Sequence, residues 1–189
     1  MHKIAVLVSG SGSNLEAIMD AIDDGKLNCS IEFVIADRSC LAIERAKKRG
    51  IRTVVLDRRG FGKELSQRIL EIIGKDLDLL VLAGFLSILE GEILKVYKDK
   101  IINIHPSLLP KFSGKGMYGL RVHEAVLKEG EKESGCTVHF VDEGVDTGRI
   151  ILQKRVAVLE GDSPFDLSKR VLEEEHKLIV EAIKKVLEG

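Results

Sequence analysis

The hydrophobic positions of the chain follow two alternating rhythms. Short, nearly continuous apolar runs (KIAVLV, SIEFVIAD, IRTVVL, LDLLVLAG, DKIINIHP) read as strands, because a strand covered on both faces shows little polar side. Between them Leu15, Ile18, Met19 and Ile22 recur at helical spacing, with Gly25 as a stop. CLAIERAKKRG and GFGKELSQRILEIIGKD are also read as helices, and a short helix is expected from about Ser87 to Val96. Strands alternating with helices predict an α/β fold: a doubly wound, mainly parallel, Rossmann-like sheet with helices on both faces.

The rhythm changes after the fifth strand. Lys111 to Gly119 is irregular and glycine-rich, and LRVHEAVLKEG is helical. SGCTVHFVDEGVDTG and RIILQKRVAV are expected to be neighbouring strands that pair antiparallel. The last segment is a long amphipathic helix with Ser163 as N-cap, Pro164 at its first position and Asp166 at its third. Its buried stripe should be Leu167, Val171, Leu172, Leu178, Ile179, Ala182, Ile183 and Val186. With no repeat and no linker, residues 1–189 are expected to form one domain. Within it, 1–103 would be a phosphate-binding, Rossmann-like half and 104–189 the half that completes the site.

Composition narrows the function classes. With 44% apolar residues a sizeable core can be buried, and a net charge of −1 argues against nucleic acid or anionic membrane as partner. No apolar run approaches a membrane span, and the N-terminus lacks a signal-peptide cleavage pattern, so a cytoplasmic protein is expected. The three cysteines, Cys29, Cys40 and Cys136, are scattered and form no CxxC. Five histidines without H-x-x-x-H spacing suggest no metal site. A monomer and a homodimer both remain open.

Two stretches carry candidate chemistry. VLVSGSGSNL places Ser9 to Asn14 between the first strand and the first helix, where a glycine turn and a helix N-terminus make a phosphate cradle. A dinucleotide fingerprint would need a third glycine where Leu15 stands, although Asp37 could mimic its ribose-binding acid. There is no Walker lysine–serine pair, so a mononucleotide or sugar phosphate fits better. NIHPSLLPKF puts Asn103 and His105 on the same side of a strand end, next to Pro106 and Pro110. DEGVDTG supplies Asp142, Glu143 and Asp146 from a distant loop. An amide, an imidazole and a carboxylate together suggest acid–base chemistry around an oxyanion. No serine sits in a nucleophile elbow and no cysteine lies near His105 in sequence, so direct attack by an amine or water is expected. His139 either faces this site or pairs locally, whereas His123 and His176 are expected on helix surfaces or in structural roles.

VLVSGSGSNLEAI, VLAGFLSIL, INIHPSLLPKF, VHFVDEGVDTG and the EEEH turn of the last helix resemble, in order, the phosphoribosylglycinamide formyltransferase family of the folate-dependent formyltransferases. The resemblance covers nearly the whole chain. It implies metal-free transfer of the formyl group of 10-formyltetrahydrofolate, as co-substrate, to the amine of glycinamide ribonucleotide in purine synthesis. By the same resemblance Gly12, Ser13 and Asn14 hold the substrate phosphate and Glu175 the ribose. Arg58 or Arg59, Leu86, Ser87, Ile88, Leu89, Asn103 and the loop Asp142, Glu143, Gly144, Val145 and Asp146 surround the folate. Asn103, His105 and Asp146 form the catalytic set, with Asp146 expected to keep His105 protonated. Two stretches depart from the pattern. Ser87 stands where arginine is frequent, and SGKGMYGLRVH is longer than the expected proline–glycine link, either as a closing loop or as a decoration. A 10-formyltetrahydrofolate hydrolase would share the catalytic set but bring an extra N-terminal domain, whereas this sequence starts at the first strand. A non-catalytic phosphate- or folate-binding module is the other alternative.

Overall fold

The computed structural model describes residues 1–189. Its first half winds β1 (His2–Val8), α1 (Ser13–Asp23), β2 (Cys29–Ala36), α2 (Leu41–Lys48), β3 (Thr53–Val55), α3 (Arg58–Phe61), α4 (Leu65–Ile73), β4 (Leu79–Leu82), α5 (Glu92–Val96) and β5 (Ile101–His105). The second half adds α6 (Leu120–Lys128), β6 (Glu133–Phe140), β7 (Ile150–Ala157) and α7 (Pro164–Glu188). All seven strands join one sheet in the order β3-β2-β1-β4-β5-β6-β7. The pairs from β3 to β5 are parallel, and β6 and β7 run antiparallel.

Burial on both faces explains the continuous apolar runs. In β1, Ile4, Val6 and Val8 pack with residues of α1, α2 and α7, while Ala5 and Leu7 pack with residues of α4 and α5. β4 divides the same way, with Leu79 and Val81 on one side and Leu80 and Leu82 on the other. α7 starts on the expected capping box: Asp166 N–H donates to Ser163 Oγ at 3.2 Å, and Ser163 N–H donates to Asp166 Oδ2 at 2.9 Å.

Two helices differ from expectation. The one expected from Ser87 forms only from Glu92, because Gly91 (φ 78°, ψ −142°) breaks the helical path and 86–89 runs irregularly along a cavity. The one across GFGKELSQ splits into α3, a 3-10 turn over Gly62–Glu64 and α4, with Gly62 at φ 50°. No helix is long and apolar enough to cross a membrane.

The strand order reverses at β1, which has β2 on one side and β4 on the other. Parallel sheets open a crevice at such a point, outside the carboxyl ends of the strands. A cavity of about 690 Å³ lies there, lined from the turns after β1, β4 and β5 and from the loops after β5 and β6.

Candidate active site

The glycine turn forms one end of the cavity. Gly12 caps α1 at φ 77°, and a Cβ on it would lie 2.6 Å from Ala42 Cβ and 2.8 Å from Ala42 Cα. Only glycine fits both the left-handed backbone and that close approach. The turn is pinned from outside: Gly10 O accepts the Ala42 N–H at 3.1 Å, and Ser11 O accepts Arg45 Nε at 2.9 Å. Ser9 Oγ accepts the Leu86 N–H at 2.8 Å. No side chain caps α1, so the N–H groups of its first turn are left for an anion. Asn14 is 8% exposed, and its Oδ1 has no partner. Glu175 of α7 lines the same end and is 7% exposed; burial pushes its carboxyl up to about 7, against the moderating bond of Asn14.

Asn103 and His105 form the other end. They share the face of β5 that Ile101 uses to join the core with α4 and α5, but beyond Ile101 that face opens into the cavity. His105 Nε2 lies 2.8 Å from the Phe112 carbonyl, so Nε2 carries the hydrogen and Nδ1 faces Asp146 Oδ2 at 3.5 Å. Phe112 sits at φ 54°, and the segment that leads to it is held by side chains. Thr137 Oγ1 donates to Ser107 O at 2.7 Å, Ser107 Oγ donates to Lys111 O at 2.6 Å, and Gln153 Nε2 donates to Leu109 O at 3.0 Å. The Leu109–Pro110 peptide is cis. These bonds, with the prolines, hold the backbone that orients the imidazole.

Burial is the largest influence on His105 and lowers its pKa, outweighing the Asp146 charge that raises it. Burial therefore works against the expected protonation of His105, although the carboxylate stands beside the ring. For Asp146 burial raises the carboxyl, and the two histidines and the Gly114 N–H at 3.2 Å together bring it below its ordinary value.

Asp146 reaches this position from a rigid loop. Asp142 Oδ1 accepts the Gly144 N–H at 2.9 Å and the Thr147 hydroxyl at 2.6 Å. A Cβ on Gly148 would lie 1.7 Å from the Phe140 carbonyl, and Asp146 itself sits at φ 57°. The D-x-G pattern is therefore a structural requirement of the turn that aims Asp146 inward.

The register of β5 and β6 decides the place of His139, which sequence reasoning left either facing the site or paired locally. His139 pairs directly with Asn103 across the antiparallel ladder. Its Nε2 is 3.2 Å from Asn103 Nδ2 and 3.6 Å from Asp146 Oδ1. His123, expected on a helix surface or in a structural role, is buried on the cavity side of α6, with burial taking its pKa down to about 4. The signal was present in LRVHEAV, where His123 adjoins the buried Val122 and sits three residues before the buried Val126.

Leu86, Ser87, Ile88 and Leu89 line the wall between the two ends, as do Asp142, Gly144, Val145 and Asp146. Glu143, Arg58 and Arg59 do not line the cavity; the two arginines open α3, beyond β3 at the sheet edge. Ser87 has a definite partner. Its hydroxyl donates to Asp37 Oδ2 at 2.5 Å, and Arg38 clamps the same buried carboxylate at 2.9 and 3.0 Å. Asp37 is thus committed inside the protein, which removes its dinucleotide role, and Leu15 is core rather than a third glycine.

The chain is similar to known proteins over nearly its full length. A family model described as formyl transferase matches residues 2–183. A chloroplastic phosphoribosylglycinamide formyltransferase from Arabidopsis thaliana is 41% identical over 98% of this chain and 65% of its own length. The corresponding protein of Vigna unguiculata is 40% identical over 98% of this chain and 61% of its own. This chain therefore spans less than two thirds of these plant relatives. A crystal structure of glycinamide ribonucleotide transformylase 1 from Symbiobacterium toebii is 43% identical, with a TM-score of 0.86, covering 97% of this chain and 86% of that one.

Proposed function

The chain belongs to the formyl transferase family, and from that premise we propose that it transfers the formyl group of 10-formyltetrahydrofolate to the amine of glycinamide ribonucleotide. The observation that carries this reading is one cavity with a phosphate cradle at one end and Asn103, His105 and Asp146 at the other. The relatives' names point to the formyl acceptor, and the folate donor is the one implied by the family resemblance.

The phosphate sits on the N–H groups of Gly12, Ser13 and Asn14, and Glu175 takes the ribose hydroxyls. The pterin lies against 86–89 and the loop 142–146. Holding two substrates in attack geometry is itself a large entropic contribution. The amine nitrogen bonds to the formyl carbon and the formyl oxygen becomes an oxyanion, to which Asn103 donates. The ammonium proton passes to the His105–Asp146 pair, whose Nδ1···Oδ2 face carries no hydrogen while the ring is neutral. The pair returns that proton to the folate nitrogen as its bond to carbon breaks, leaving formylated product and tetrahydrofolate.

The test is an assay of 10-formyltetrahydrofolate consumption with and without glycinamide ribonucleotide. Tetrahydrofolate should appear only when the amine is present, matched by formylated ribonucleotide. Turnover that ignores the amine means that water attacks, and the transferase reading is then wrong.

A further inference from the structure

We propose that the loop between β5 and α6, together with the first turn of α6, brings the counter-charge to the substrate phosphate, through Lys115 and Arg121. The inference rests on the phosphate site read above and names what completes it. A phosphate monoester carries about −1.5 to −2 charges at neutral pH, whereas a helix N-terminus offers only about +0.5. The cavity otherwise adds negative charge, from Asp142 and Asp146. α7 turns Ser168, Leu172 and Glu175 toward it and contributes no cation. Lys115 and Arg121 are the only lysine and arginine that line it.

The arginines packed around the glycine turn are already engaged. Arg45 holds Ser11 O and pairs with Glu16 at 3.3 Å. Arg38 is clamped on Asp37, and Arg49 pairs with Glu16, Asp20 and Asp23. Lys115 and Arg121, by contrast, pair with no carboxylate within 4.0 Å, and Arg121 rests 5.1 Å from the centroid of the Tyr118 ring. The loop's course suits the role. Gly114 donates to Asp146 at the catalytic end, and Lys115, Tyr118 and Arg121 line the same cavity as Gly12, Ser13 and Asn14. The segment is therefore fixed at the reacting end and borders the cavity that also contains the cradle. Gly114, Gly116 and Gly119 give it φ values of 94°, 84° and 56°. At the cradle Asn14 lines the same cavity, and its buried Oδ1 lacks a partner, an acceptor left for a donor such as a ribose hydroxyl. The cations thus arrive on a different element from the N–H donors, and phosphate binding orders the loop beside Asp146.

Calorimetric titration of wild type, Lys115→Met, Arg121→Met and the double variant tests this, with three probes: glycinamide ribonucleotide, its dephosphorylated ribonucleoside and ribose 5-phosphate. Each single variant should bind the two phosphorylated probes roughly tenfold more weakly, as expected for loss of a charge-assisted contact. Ribonucleoside affinity should stay within about twofold, and the phosphorylated probes should lose part of their salt dependence. Unchanged affinity for the phosphorylated probes in the double variant overturns the assignment. So does an equal loss for the ribonucleoside, which would mark a structural effect. Lysine- and arginine-dependent binding of ribose 5-phosphate by a protein that transfers no formyl group would refute the enzyme reading alone. Normal transfer by the double variant at low ribonucleotide concentration would refute the cation assignment alone.

Discussion

The amide nitrogen of Asn103 lies 3.2 Å from Nε2 of His139, and the other side of the ring settles the direction of that bond. His139 Nδ1 lies 2.8 Å from the Phe140 carbonyl, which only accepts, so Nδ1 carries the hydrogen. In the neutral ring Nε2 then accepts from Asn103. One amide hydrogen is occupied, the side chain is fixed, and the second hydrogen is free for the oxyanion.

This makes His139 a positioning residue for Asn103. Asn103→Ala should lower the single-turnover rate by about 10²–10³, as for loss of one oxyanion donor. His139→Ala should lower it by roughly tenfold, and the double variant should match Asn103→Ala alone, because residues acting as a unit are not additive. Additive losses in this cycle would show that His139 acts on its own.

The burial of His105 sets a pH expectation. Its folded pKa lies below 6.5, so the neutral ring is the resting form at neutral pH. The acid limb of kcat/KM that reports His105 should therefore lie below pH 6.5. Asp146→Asn removes the charge that raises His105, so the ring should titrate lower still. An NMR titration of the His105 ring checks both, and a wild-type midpoint above 6.5 contradicts them.

Gly12→Ala should damage both binding and fold. The added Cβ meets Ala42 at 2.6 Å, on a backbone with φ 77°. A loss of about 1–3 kcal/mol in unfolding free energy is expected from the backbone conformation, with ribonucleotide binding lost as the cradle shifts. Urea unfolding measures the first effect and calorimetry the second.

Glu175 links stability to pH. Folding raises its carboxyl from 4.5 to about 7, so the folded state holds the proton more tightly. Its contribution is full below pH 4.5 and is lost as pH rises to about 7, by roughly 3 kcal/mol at most. The difference in unfolding free energy between wild type and Glu175→Gln should change over that interval and level off above it. A difference that stays constant from pH 4 to 8 would mean that Glu175 is not buried in the ionisable form.

Much of the fold was legible in local chemistry. Alternating rhythms, the Ser163–Pro164–Asp166 start and the glycine turn depend on neighbours close in sequence, so the chain alone determined them. The β1 turn, the Asn103–His105 pair and the inward Asp146 were legible for the same reason, since each rests on a short pattern of glycine, proline or strand alternation. What only the tertiary structure decided was how distant segments meet. The register of β6 on β5 sets His139 against Asn103, 36 positions away. Asp37 closes on Ser87 across 50 positions, and the path of 113–121 brings Lys115 of a loop and Arg121 of the first turn of α6 to one cavity. The charge state of His105 was decided there too. A carboxylate can be read as a motif, but the depth of the ring depends on every element packed over it, and desolvation outweighs the single charge beside it.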